Sequence, residues 1–329
     1  MKKISSEING DPTNCNVSIV IPVYQSSIIL PKLVEAIYFE MQEIGMADFF
    51  ELILVNDAST DDSWKVIQKL ASDNLFVKGI SLRKNFGQHN AIMAGLNYVR
   101  GRYVILMDDD LQHHPNAIGE MITVLKSGYD VCFTNYINRQ HAVWKKWGSH
   151  FHNWVASFLL KKPKEIYLSS FKALRREIVK EVIRYDGPYA YIDGLILQAT
   201  LSITSIDIKH LPRHQGRSNY DIFKLLALWG RMATSFSVLP LRIATYVGLG
   251  IAIVSLIMIT FIIILKFMHP EISAGWTSLI ATVLFIGGVQ TLCIGIIGEY
   301  IGRTYLRINY KPQFVIGQMT WKSDKKFKE

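Results

Sequence analysis

Two stretches of this chain, residues 243–265 and 276–297, carry no charged side chain. Each is long enough to cross a hydrocarbon core, which takes about 20 helical residues. A chain with two such stretches is expected to anchor in a membrane rather than fold as one soluble globule. Gly248, Gly250, Gly287, Gly288, Gly295 and Gly298 lie within or beside them and suit close helix packing in lipid. The connection between them, 269–275, holds one charge, Glu271. By contrast, Arg231 and Arg242 precede the first stretch, and Arg303, Arg307, Lys311, Lys322, Lys325, Lys326 and Lys328 follow the second. Basic residues stay on the cytoplasmic side, so both flanks are expected there. Lys266 opposes this mildly and can snorkel to the interface. Residues 1–16 are polar and lack the apolar core of a signal peptide. The expectation is a multi-pass protein of the inner (cytoplasmic) membrane, with its N-terminal domain and C-terminus in the cytoplasm.

With 329 residues, the chain has room for one sizeable domain before these spans. Much of the formal charge of +9 flanks the spans, so membrane lipid is the expected anionic partner and nucleic acid is not. Cys15, Cys132 and Cys293 are too scattered for a disulfide framework or a zinc pattern. The histidine pairs 113/114, 150/152 and 210/214 have no cysteine or acid spacing to complete a zinc site.

Before the spans, β-rich runs alternate with helical patterns. Strands are predicted at Val17–Val23, 52–55, Val77–Leu82, 103–107 and 130–135; helices are predicted at 31–45, around Trp64, Ile67 and Leu70, and at 90–98. This alternation predicts a doubly wound, mostly parallel sheet, whose strand-end loops gather on one rim. Asp57, Asn85 and Asp110 become neighbours there despite their separation in sequence.

The segment RYVILMDDDLQHHP, 102–115, is the most pointed feature on that rim. An apolar strand runs directly into three aspartates. Alternate residues of a nearly extended segment point the same way, so Asp108 and Asp110 are expected to converge on one site, with Gln112 in reach. Hard oxygen ligands suit Mg²⁺ or Mn²⁺ carrying a phosphorylated substrate. A solvated turn capping the next helix is the alternative, but a surface turn needs no five-residue apolar lead-in. Residues 140–160 interleave Trp144, Trp147, Phe151, Trp154 and Phe158 with Lys145, Lys146 and histidines, as expected of a helix lying in the membrane interface.

These segments together resemble the glycosyltransferase family 2 enzymes that act on polyprenyl phosphates, a group that includes dolichyl-phosphate mannosyltransferases, bactoprenol glucosyltransferases and the aminoarabinose transferases of lipid A modification. The resemblance runs from about residue 17 to 310. It rests on SIVIPVY, LVNDASTDDS, LRKNFGQHNAIMAGL, YVILMDDDLQHHP, SFKALRR, RHQGRSNY and two spans ending in IGEYIGRTY. It implies a GT-A (Rossmann-like) nucleotide-sugar-binding α/β domain, juxtamembrane amphipathic helices and two C-terminal transmembrane helices. The corresponding layout is a polar tail (1–16), a transferase domain (17–230), a membrane domain (231–310) and a basic cytoplasmic tail (311–329).

The resemblance also implies roles. Pro22, Tyr24 and Asp57 meet the base and ribose, with Asn85 on the same rim; an N-cap or Asx-turn is the alternative for Asp57. Asp108 lies near the nucleotide sugar, while Asp110 and Gln112 hold the divalent ion on the diphosphate. Arg213, Arg217 and Ser218 match a loop that closes over the diphosphate and the acceptor phosphate; a lipid-facing basic patch is the alternative. Arg139, Lys145 and Lys146 are candidates to cradle the polyprenyl phosphate.

The implied reaction is inverting transfer of a sugar from a nucleoside-diphosphate sugar to a polyprenyl, expected to be undecaprenyl, phosphate at the cytoplasmic face. The product is a lipid-linked sugar for cell-envelope glycan modification. The protein is expected to form homo-oligomers. The chain departs from its relatives at Gln25-Ser26, Asn56, Lys84, Ser170 and Asn219. Ser170 cannot act as a carboxylate base, and the others point to a different nucleotide or sugar. A processive polysaccharide synthase would show a Gln-x-x-Arg-Trp motif and more spans, and neither is present. A non-catalytic lipid-binding partner with a degenerate transferase domain is disfavoured by the intact Asp57, Asp108, Asp110 and Gln112.

Overall fold

A computed structural model describes residues 15–111, 114–137, 166–209, 239–268, 275–309 and 311–322. The chain divides into two units: Met1–Asn219 with Lys311–Glu329, and Tyr220–Tyr310.

The first unit is built on a sheet of eight strands. In chain order its elements are β1 (Val17–Val23), α1 (Leu30–Glu43), β2 (Phe50–Asn56), α2 (Ser63–Asp73), β3 (Val77–Leu82), α3 (Gln88–Leu96), β4 (Tyr103–Leu106), α4 (Ala117–Lys126), β5 (Val131–Ile137), β6 (Lys172–Arg175), α5 (Arg176–Val182), α6 (Ile192–Ala199) and β7 (Ile203–Lys209). The last strand, β8 (Ile316–Met319), follows the second unit in the chain. The strand order is β7-β5-β6-β4-β1-β2-β3-β8.

Strands β4, β1, β2 and β3 are parallel neighbours, as the alternating pattern requires. All seven residues of β1 and of β2 are buried, which is why both read as continuous apolar runs rather than alternating ones. Helix α1 buries Leu33, Val34, Ile37 and Met41 on one face, with Pro31 in its first turn, where no N–H is needed. Helix α3 lies so close to the sheet that a Cβ at Gly95 would overlap the side chains of Val20 and Val55. The buried polar residues at the start of the central strands are paired. The Ser18 hydroxyl donates to Glu51 Oε1 at 2.6 Å, the Arg100 backbone N–H donates to the same oxygen at 2.7 Å, and Lys78 pairs with the other carboxylate oxygen.

Three strands lie beyond the five expected from the sequence. Strand β6 runs antiparallel to both β4 and β5, and its sequence, KALR, is too short and too charged to announce itself. Strand β7 pairs parallel with β5. Strand β8 lies within residues 311–329, which the sequence suggested were only a basic tail, and pairs antiparallel with β3.

The second unit contains α7 (Leu239–Met268) and α8 (Trp276–Ile308). Among the described residues one stretch, Phe285–Leu306, is long and apolar enough to cross a membrane, where two were expected. The expected segment 243–265 lies inside α7. The stretch in α8 begins and ends nearer the C-terminus than the expected 276–297, because the helix passes Gly298, Glu299 and Gly302 without a break and continues to Ile308. Large apolar side chains on these helices, including Ile257, Phe261, Phe285 and Ile294, are exposed.

The proposed interfacial helix at 140–160, together with Gln112, Arg139, Lys145, Lys146, Arg213, Arg217 and Ser218, lies outside the described residues.

Candidate active site

The loops that follow β4, β1, β2 and β3 form one continuous rim, because these strands are adjacent and parallel. The three non-glycine residues with positive φ are all found here among the described residues: Gln25 (57°) beyond β1, Ala58 (53°) beyond β2 and Leu111 (55°) beyond β4. A left-handed conformation costs an ordinary residue about 1–2 kcal/mol, and strain of this kind collects where the surroundings fix the backbone for a purpose.

Hydrogen bonds between loops do the fixing. Backbone N–H groups of Gln25, Ser26 and Ser27 donate to Ser59 Oγ, Ser63 Oγ and Asp61 Oδ2 at 3.1, 3.0 and 3.2 Å, and Gln25 Nε2 reaches Thr60 Oγ1 at 3.0 Å. The Asp61 carboxyl stays below its usual range: burial acts against this, but bonds from Ser63 and Ser27 outweigh it. The hydroxyl-rich runs QSS and ASTDDS therefore stitch the β1 loop to the β2 loop, a role that residue type alone does not announce.

Asp57 is buried, at 3 % exposure. Its Oδ1 accepts the Phe86 N–H at 2.7 Å and its Oδ2 accepts the Gly87 N–H at 2.8 Å. Burial pushes its carboxyl up, against the pull of these two N–H groups. Asp57 thus clamps the loop between β3 and α3, and it is neither the N-cap nor the Asx-turn. The turn bond belongs to Asn56, whose Oδ1 accepts the Ser59 N–H at 3.1 Å while its Nδ2 donates to Ser81 Oγ at 3.0 Å. Asn85 is exposed on the clamped loop, and its Oδ1 accepts the same Gly87 N–H at 3.1 Å. Pro22 is buried within β1 opposite Val55, and Tyr24, just beyond the strand, is 48 % exposed.

Strand β4 stops at Leu106, and residues 109–111 bend, so the expected extended continuation through the three aspartates does not form. The half-buried Asp108 and Asp109 take separate partners. Asp108 Oδ1 accepts from Gln88 Nε2 at 2.7 Å, whereas Asp109 Oδ2 accepts the Tyr24 N–H at 3.1 Å and the Ser26 hydroxyl at 2.5 Å. Burial pushes the Asp109 carboxyl up, opposed by Ser26 and Tyr24. Asp109 is thus a tie between loops. Gln88 and Asp109 join this hydrogen-bonded rim although the sequence did not single them out, and Ser26, read there only as a departure from relatives, joins them; the QHN that follows the glycine turn was the available signal for Gln88.

Behind Asp108 lies a buried polar cluster. Lys172, beside Leu106 in the β4–β6 ladder, pairs with Asp193 of α6. The His89 ring meets Tyr191 edge-on, with centroids 5.2 Å apart. Burial pushes the His89 imidazole down from its ordinary 6.5 and, opposed by the charge of Asp193, keeps it neutral. Its Nδ1 and Asn90 Oδ1 are buried without a hydrogen-bond partner.

Among the described residues no three His, Cys, Asp or Glu side chains form a cluster that could enclose a metal. An ion such as Mg²⁺ needs only one or two carboxylates and takes its other ligands from phosphate and water; Asp108 and Asp110 are the residues here that could offer them.

The profile described as Glycosyl transferase family 2 matches residues 18–183, and one described as GtrB C-terminal hairpin matches 239–304. The first covers this whole rim and more than half the chain. The chain belongs to glycosyl transferase family 2. This family 2 enzyme is 33 % identical over 303 residues to the undecaprenyl-phosphate 4-deoxy-4-formamido-L-arabinose transferase of Yersinia pestis (strain Pestoides F), covering 91 % of this chain and 92 % of that one. It is 32 % identical over 306 residues to the protein of the same name from Pseudomonas aeruginosa (strain LESB58), with 91 % and 89 % covered. Glucosyl-3-phosphoglycerate synthase from Mycobacterium tuberculosis, solved with Mn²⁺, uridine diphosphate and phosphoglyceric acid, shares the transferase fold. Its TM-score is 0.51 at 18 % identity, covering 67 % of this chain and 76 % of that one.

Proposed function

We propose that this family 2 enzyme transfers a sugar from a nucleoside-diphosphate sugar to a polyprenyl phosphate, with inversion, at the cytoplasmic face of a membrane. The observation that carries this is the match, over 91 % of this chain, to undecaprenyl-phosphate sugar transferases. The rim beyond β4, β1, β2 and β3 supports it chemically, since it places Asp57, Asn85 and Asp108 within one hydrogen-bonded framework.

A lipid phosphate monoester has a second pKa near 6, so its oxygen is already ionised at neutral pH and needs no strong base. That oxygen forms a bond to the anomeric carbon from the face opposite the leaving group. The carbon–oxygen bond to the diphosphate breaks, and the nucleoside diphosphate leaves with the electron pair. The chain's part is positioning and stabilising the leaving group. Asp108, Asp110 and Gln112 would hold Mg²⁺ or Mn²⁺, which when bound neutralises the departing diphosphate. Pro22, Tyr24, Asp57 and Asn85 are assigned to the nucleotide side. Asp57 acts there by holding the 83–87 loop in place. Arg213, Arg217 and Ser218 are assigned to the diphosphate and acceptor phosphate, and Arg139, Lys145 and Lys146 to the lipid phosphate.

The reading also includes two crossings, by α7 and α8. Support comes from chain parity: β8 follows the membrane unit and β3 precedes it, yet the two pair in one sheet. A chain that leaves a compartment and returns to it crosses the membrane an even number of times, and a second span beside Phe285–Leu306 would fit this pairing. Homo-oligomers are part of the same reading, since glycines such as those of α8 permit close helix approach in lipid.

The test is incubation of the purified protein with undecaprenyl phosphate and a panel of nucleotide sugars, one carrying 4-deoxy-4-formamido-L-arabinose, with and without Mg²⁺ or Mn²⁺. Lipid products are identified by mass. A metal-dependent lipid-linked sugar is expected, abolished in Asp110→Asn; absence of product from every donor refutes the reading. Protease added to sealed inverted vesicles should digest the transferase unit, and protection would reverse the topology.

A further inference from the structure

We infer that Gln313 is a positioning residue for the transfer site, acting through residues 185–191 and the first turn of α3. The inference rests on the role given above to Asp108.

Residues 185–191 join α5 to α6 without forming helix or strand, so no ladder pairs their carbonyl groups, and side chains do so instead. Gln313, 8 % exposed, supplies two of them: its Nε2 donates to Gly187 O at 2.9 Å and to Tyr185 O at 3.4 Å. On its other side the segment meets α3. Asn90 Nδ2 donates to Pro188 O at 3.1 Å and to Phe86 O at 3.0 Å, and the His89 ring packs edge-on against Tyr191. Lys311 Nζ, 5.8 Å from the Tyr189 ring centroid, adds a contact on the Gln313 side. The segment is therefore held between residues 311–313 and residues 89–90.

Gln88 precedes His89 directly and holds Asp108 Oδ1 at 2.7 Å. Its side chain is exposed, so where its amide points depends on where the first turn of α3 sits. Asp57 fixes that turn from the side of residues 86–87, and residues 185–191 support it through His89 and Asn90. Gln313 is itself well anchored: Arg83 N–H donates to Val315 O at 2.9 Å, and Gly79 N–H donates to Thr320 Oγ1 at 2.9 Å, on either side of the β3–β8 ladder. A rigid strap thus carries one amide that fixes an irregular segment, and that segment backs the turn that aims Gln88 at Asp108.

The experiment uses full-length enzyme carrying Gln313→Ala, Gln313→Glu, Gln88→Ala and the double variant Gln88→Ala/Gln313→Ala. Gln318→Ala is the control, since it removes only the bond from Trp64 Nε1, 2.6 Å long, on the same strap. Both Gln313 variants should lose between about tenfold and a hundredfold in kcat, with KM for the nucleotide sugar within about twofold; Glu fails because it cannot donate. Gln318→Ala should keep wild-type kcat. The double variant should be no slower than Gln88→Ala alone, since the two act in series. Hydrogen exchange of Gln313→Ala should quicken at residues 185–192 and 88–92 and stay unchanged in β2. Additive losses in the double variant, or faster exchange confined to residues 311–322, would overturn the inference. If wild-type enzyme makes no lipid-linked sugar, the proposed function fails, and the exchange pattern alone still decides the part played by Gln313.

Discussion

The Oδ2 atom of Asp109 accepts the Ser26 hydroxyl at 2.5 Å, joining the bend beyond β4 to the turn beyond β1. The middle aspartate of the acidic run is therefore a structural tie, placed next to the residues assigned to the ion. Replacing Asp109 with Ala removes this acceptor and that of the Tyr24 N–H, at a cost of about 1–3 kcal/mol. Thermal unfolding should move to lower temperature in Asp109→Ala. In Asp110→Asn it should stay near wild type while turnover disappears.

Asp57 offers two acceptor oxygens to two N–H donors. In Asp57→Asn one oxygen becomes an NH₂ group facing an N–H, so one donor is left unpaired at a cost of about 1–3 kcal/mol. The variant should unfold at lower temperature even without nucleotide and should bind nucleoside diphosphate more weakly by calorimetry. Weaker binding with unchanged nucleotide-free stability would make direct contact, not the clamp, the role of Asp57.

Ala58 has φ of 53°, a conformation in which glycine is unstrained. Ala58→Gly relieves about 1–2 kcal/mol of strain and gives back about 0.4–1 kcal/mol in unfolded-chain entropy. The net expectation is a small gain in thermal midpoint, read by differential scanning fluorimetry. A fall would mean that the Ala58 methyl makes packing contacts worth more than the strain.

His89 is held neutral by burial, with its pKa below the ordinary 6.5. As pH falls through 6.5, the unfolded chain takes up a proton at this position that the folded chain refuses, so stability drops with a limiting slope of about 1.4 kcal/mol per pH unit. This loss continues until the folded-state pKa is reached and is absent above 6.5. Thermal midpoints of His89→Gln and wild type, measured between pH 7.5 and 5.5, should differ least in slope above pH 6.5 and most below it, with the variant the less acid-sensitive.

The central sheet was legible because β1 and β2 are buried along their whole length and are therefore mostly apolar, and because the acids follow β4 after a single residue, Met107. Strand β6 was hidden because it is four residues long with a charge at each end, and the pairing of Lys172 with Asp193 depends on a residue of α6 that only the fold brings near. Strand β8 was hidden because IGQM is short and its partner, β3, lies far away in sequence. The roles of Asp57 and Asp109 could not be read from residue type. A carboxylate that binds a ligand and one that ties down backbone N–H groups look alike in sequence, and only the positions of Phe86, Gly87, Tyr24 and Ser26 tell them apart.

Pairing β3 with β8 also orders events on the ribosome. When β3 emerges, its outer edge is a row of unpaired peptide groups, and β8 is made only after both long helices. At about 5–20 residues per second, that edge stays open for on the order of tens of seconds, during which an exposed strand can recruit a neighbouring nascent chain. Closing this edge of the transferase sheet thus waits until both long helices have left the ribosome.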